Sequence, residues 1–146
     1  MVELAYAHLP AEYGDPQALT KLRVDAILAA ADVVARPYLA DVAVATELPQ
    51  VAPVGRLLTV RGGPWVDLTA ASATNVVRLV AWARNDDDAW DLAAYVHAHL
   101  TALRGDEEFR GFGREEAPNK GTDPTYERPI VAFAVRARMK PRVLPI

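Results

Sequence analysis

The chain has 146 residues, 51% of them hydrophobic, and carries 16 basic against 19 acidic side chains. That length fits one domain of ordinary size, and no apolar run approaches the roughly 18–20 residues that cross a bilayer. The lack of cysteine excludes a disulfide framework and thiolate metal sites, and a net charge of −3 gives no general drive toward nucleic acid or anionic lipid.

Residues 1–14 show no clear period and are expected to form an irregular lead; without a basic start they do not read as a secretory signal. Asp15-Pro16 then supplies an N-cap carboxylate and a proline at the first helical position. Leu19, Leu22, Ala26, Ala30 and Val33 recur at three- and four-residue steps, which predicts a helix over 16–35. Arg36-Pro37 ends it, because a residue before proline avoids the α region.

From Asp41 the period changes to two, and Val42, Val44 and Thr46 mark a strand that stops at Leu48-Pro49. A proline-punctuated loop leads to a strand over 56–61. Gly62-Gly63-Pro64 is a strong turn signal, with 65–70 expected as the returning strand. Asn75 to Arg84 alternates most clearly: Val77, Leu79, Ala81 and Ala83 share one side, and Val76, Arg78, Val80, Trp82 and Arg84 the other.

Asn85 and Asp86 can cap a second helix, with Asp87 and Asp88 in the first turn where the helix dipole favours carboxylates. Ala89, Leu92, Ala93, Val96, Leu100 and Leu103 form its main apolar side. Trp90, Ala94, Tyr95, Ala98 and Ala102 make a second side apolar as well, so the helix asks for cover on two sides. Gly105 is expected at C′. Residues 106–128 read as a long polar loop or hairpin, with one short strand near 109–115, and 130–139 as a final strand. The fold class is therefore α+β: an antiparallel sheet of about five strands packed by two helices, one N-terminal and one after the central strand, in a single domain over 1–146.

Catalytic chemistry is not concentrated anywhere. Ser72, the one serine, is flanked by alanines rather than by the glycines of a nucleophile elbow. His97 and His99 lie two positions apart and point about 200° from each other around a helix, so they cannot share a metal unaided. Asp86-Asp87-Asp88 is better explained by capping than by metal binding, and Gly111-Phe112-Gly113 does not complete a dinucleotide fingerprint. Arg136, Arg138, Lys140 and Arg142 put cations along the last strand and its extension, either as a phosphate-tracking stripe or as a solvated sheet face or charge-protected edge strand with room for ionic contacts to a neighbour. Trp65 is either a turn-tip anchor for a partner or a core residue.

In order and spacing, these features resemble the tail terminator (tail completion) proteins of long-tailed bacteriophages with non-contractile tails. The pattern is an N-terminal helix, a short strand ending Thr46-Glu47-Leu48-Pro49, and a strand closing in Arg61-Gly62-Gly63. After these come Val77-Arg78-Leu79-Val80-Ala81-Trp82-Ala83, the acidic cap, Ala89-Trp90-Asp91-Leu92-Ala93, and a last strand Phe133-Ala134-Val135-Arg136-Ala137-Arg138. The likeness spans roughly residues 16–141; the lead 1–14 and the linker after Pro37 depart from it.

The resemblance implies a non-enzymatic virion protein without a cofactor, assembled in the host cytoplasm and placed at the tail neck. Its subunits would form a ring, usually a hexamer, on the head-proximal end of the tail tube. Its partners would be the tail tube protein and a head–tail connector or stopper protein, with genome DNA passing through the lumen without sequence-specific binding and no membrane involved. A ring of head-to-tail contacts needs two different patches per subunit, and the candidate interface residues are Trp65, Trp90, Tyr95, His97, Arg136 and Arg138. Three alternatives stand beside it: another head–tail joining or minor tail protein, a cellular small-ligand binding module, and an enzyme using Asp86 to Asp88 with a metal.

Overall fold

The computed structural model describes residues 3–145. Its centre is a five-stranded sheet ordered β2-β3-β4-β6-β5, built from β2 Ala43–Ala45, β3 Leu57–Leu68, β4 Ala73–Trp82, β5 Phe109–Thr122 and β6 Pro129–Met139. Two helices, α1 Pro16–Ala29 and α2 Asp86–Ala102, pack with it, and β1 Ala11–Glu12 pairs with β7 Arg142–Val143 in a separate ribbon. The α+β class expected from the sequence is the one observed. The sheet, however, is mixed: β2 runs parallel to β3 while the other pairings are antiparallel. The proline-rich connection 46–56 returns the chain to the end where β2 began, so β3 restarts beside it in the same direction.

The alternation in β4 and β6 decides which face is covered. Val77, Leu79 and Ala81 of β4 and Val131, Phe133, Val135 and Ala137 of β6 are buried in one cluster with Val24 and Ile27 of α1 and Leu92, Val96 and Leu100 of α2. Removing so much apolar surface from water is the main favourable term holding helices to sheet. The opposite face carries Arg78 against Ala134 and Val76 against Arg136.

Several boundaries differ from the sequence reading, each for a local reason. Helix α1 stops at Ala29 rather than at 35. There the Asp32 carboxylate accepts the Val34 and Ala35 amides at 3.1 and 3.2 Å, a local alternative to the helical ladder. Gly62-Gly63-Pro64 does not turn; β3 runs straight through it with register shifts opposite β4. The buried Asn75 side chain makes this possible, accepting the Gly63 amide at 3.3 Å and donating to its carbonyl at 2.9 Å. The actual turn lies at 69–72, where the Thr69 hydroxyl accepts the Ala71 and Ser72 amides.

Gly105 is not a left-handed C′ residue, since α2 ends on Leu103 in extended conformation. Of the long polar loop or hairpin expected over 106–128, the hairpin is what forms. Its strand is β5, fourteen residues rather than a short strand near 109–115, pairing with β6 and bulging in three places. As an edge strand it tolerates Pro118 and its glycines, which a central strand would not. The lead is not wholly irregular either, since Ala11 and Glu12 pair with Val143 and Arg142.

Candidate interface surfaces

The six residues singled out in the sequence do not form one patch. Trp90, Tyr95 and His97 sit on α2, Arg136 and Arg138 on the open face of the sheet, and Trp65 on the outer half of β3.

Helix α2 is started by Asn85, whose side chain accepts the Asp88 amide at 2.8 Å, with three aspartates in the first turn. Asp88 accepts from Arg56 Nε at 2.8 Å, and Arg56 also donates to the Ala40 carbonyl. That carboxylate therefore ties the helix start to the segment before β3. Among the described residues no group of three metal-ligating side chains comes together.

The second apolar side of α2 faces outward. Trp90 is 38% exposed, and Lys120 of β5 places its ammonium 5.8 Å from the ring centroid. Ala98 and Ala102 are exposed, and Tyr95 is half-buried. Tyr95 stacks on His99 one turn later at 4.0 Å between ring centroids, with the Arg36 guanidinium 5.7 Å from its ring.

His97 and His99 point to different places, as their spacing requires. His99 lines a groove between the helices. His97 turns toward the sheet and meets Phe133 edge-on at 5.2 Å. Its Nε2 is buried without a hydrogen-bond partner among the described residues. Burial, and after it the positive charge of Arg114, hold the His97 imidazole below its ordinary value.

On the open sheet face, Arg136 is bound to Glu115, and Arg78 contacts Glu116 at 3.4 Å. The Glu115 carboxylate raises the guanidinium of Arg136 further above its ordinary value. Arg142 lies beyond β6 and bonds Glu108, so two of the four cations read in the sequence, Arg136 and Arg142, are partnered by acids. Arg138 forms no ion pair among the described residues; its guanidinium lies over Gly111, where an added Cβ would approach it to 3.3 Å. Trp65 is 39% exposed beside Tyr13, 6.3 Å between ring centroids, with Val66 and Leu68 exposed further along β3. Trp65 is thus neither turn-tip nor core: it stands on a strand edge, because β2 covers β3 only over Leu57 to Thr59.

The sequence reading missed the groove between α1 and α2, lined by Ala26, Ile27 and Ala30 from one helix and Tyr95, His99 and Leu103 from the other. Its signal was the four-residue spacing Tyr95-His99-Leu103, obscured because Leu103 also fits the core side of α2. Arg23 closes one end, donating to Asp106 at 2.8 Å.

A search of solved structures finds similarity to a chain of the virion of a native gene transfer agent particle. The TM-score is 0.53 at 23% identity, over 82% of this chain and 93% of that one. The likeness shows a shared fold. No family model matches, and no curated protein sequence does. No helix among the described residues is long and apolar enough to cross a membrane.

Proposed function

We propose that this chain is a structural, non-enzymatic protein of a phage-like particle. In this reading it forms a ring that closes the head-proximal end of a tail tube and joins it to the head–tail connector. The observation that carries the reading is the fold shared with a gene transfer agent virion chain across 93% of that chain's length. The surface agrees with it: apolar side chains are exposed on α2, on the β3 edge and in the connection 46–56, where Val51 and Val54 are 75% and 81% exposed. Exposed apolar patches at several separate places mark contacts with other chains, and a closed ring with a tube below and a connector above needs several. The candidate interface is Trp65, Trp90, Tyr95, His97, Arg136 and Arg138, with DNA a passenger in the lumen and the neck of the virion as the location.

The test is negative-stain imaging and native mass spectrometry of the purified chain, alone and with tail tubes. Rings of six-fold symmetry seated on tube ends are expected. A species that stays monomeric or dimeric, with or without tubes, overturns the ring; rings that bind connector but never tubes indicate a neighbouring neck protein.

A further inference from the structure

We infer that residues 3–9 of one subunit form an arm that seats in the α1–α2 groove of the next copy. This rests on the ring reading above and adds a named contact to it.

The arm carries Leu4, Tyr6 and Leu9, which are 69%, 50% and 54% exposed. Among the described residues it makes no hydrogen bond to the rest of the chain; its one side-chain hydrogen bond is internal, from the His8 ring to the adjacent Leu9 carbonyl. Three large apolar side chains held in water by a segment with no tertiary hydrogen bonds are unfavourable unless another surface covers them.

The groove is the matching cavity. It has a volume of about 440 Å³ and is lined on one side by Ala26, Ile27 and Ala30 and on the other, as a wall, by Tyr95, His99 and Leu103. These three wall residues, four apart in sequence, span about 12 Å along the helix. In an extended arm, Leu4 and Tyr6 project from the same side about 6.6 Å apart, so both fit within that length. Charge agrees as well. Glu3 is the acidic residue of the arm, which has no lysine or arginine. At the Tyr95 wall stands Arg36, which forms no ion pair among the described residues. Seating Leu4 and Tyr6 along the wall brings Glu3 toward that guanidinium.

The native chain has no cysteine, so paired cysteines report the contact without interference. A Tyr6→Cys/Ala30→Cys variant, oxidised at assembly concentration, is expected to give a ladder of covalently joined chains up to ring size; each single variant gives dimers at most. A disulfide formed only within one chain, or none at all, overturns the proposal. A Leu4→Ser/Tyr6→Ser variant, altered only at exposed positions, is expected to fold normally by circular dichroism. Its concentration for half-assembly should rise at least about tenfold, and unchanged assembly is equally fatal. Native mass spectrometry of the unmodified chain separates the two readings. A ring without inter-chain disulfides in the variant leaves the ring standing and removes the arm, whereas a monomer without them removes both.

Discussion

Arg23 in α1 donates to the Asp106 carboxylate at 2.8 Å, joining two residues 83 positions apart and fastening the first helix to the turn that begins β5. The same carboxylate accepts the Glu108 and Phe109 amides, both at 2.9 Å. Burial pushes the Asp106 carboxyl upward, but the Arg23 hydrogen bond, the two amides and the Arg23 charge together hold it below its ordinary value. A carboxylate depressed in the folded state stabilises the fold above its unfolded pKa and loses that contribution as pH falls through the folded one. Asp106→Ala removes three acceptor bonds and leaves part-buried donors unpaired. A loss of about 1.5–3 kcal/mol is expected by urea denaturation at neutral pH. The gap between variant and native protein should close in acid below the ordinary carboxylate range; a gap that persists there contradicts the charge assignment.

Asn75 and Gly63 make a second, sharper case. Asn75 is 2% exposed, and its carboxamide supplies both partners that the register shift takes from Gly63. Asn75→Leu would fill the volume but orphan a backbone donor and acceptor, at a cost of about 1–3 kcal/mol. Gly63→Ala would place its Cβ 2.7 Å from the Val76 carbonyl oxygen, so the strands must part. Thermal unfolding of both variants is expected to drop by several degrees; a Gly63→Ala protein as stable as the native one would show that β3 does not run through this segment as described.

Those two residues also show where sequence reading stopped. Strands β4 and β6 were legible because every second residue, Val77, Leu79 and Ala81 or Val131, Phe133, Val135 and Ala137, enters the core, while the other side mixes exposed Arg78, Arg136 and Arg138 with buried Ala132 and Ala134. Helix α2 was legible from its cap and its apolar spacing. Gly62-Gly63-Pro64 was misread because local turn chemistry is overruled by a side chain twelve positions away. Strand β5 was hidden by its glycines and Pro118, which an edge strand absorbs as bulges. Of the candidate surface, the outward side of α2 was visible in composition. The groove was not, since it exists only where α1 and α2 meet.

His97 gives a prediction in a different pH range. Its imidazole is held below the ordinary 6.5 by burial first and Arg114 second. Between the unfolded value and the lower folded one, the unfolded chain binds more protons, so stability falls as pH falls through that window and is fully present above it. His97→Gln is expected to flatten the dependence of the urea midpoint on pH just below 6.5. A variant with the native slope assigns that slope to another group.

In the proposed ring, Trp90→Ala would separate folding from assembly. Trp90 is 38% exposed, and the Lys120 ammonium lies 5.8 Å from its ring centroid. An exposed cation–π contact contributes about 0.5–1 kcal/mol, so Trp90→Ala should shift the unfolding midpoint only slightly. A tryptophan at the centre of a subunit contact contributes about 2 kcal/mol or more, which raises the assembling concentration on the order of thirtyfold. Arg138→Ala tests the open sheet face in the same way, since that side chain forms no ion pair among the described residues. Native mass spectrometry across a dilution series reads both. If Trp90→Ala assembles at native concentration while Arg138→Ala does not, the contact lies on the sheet and the outward side of α2 faces something other than the next subunit.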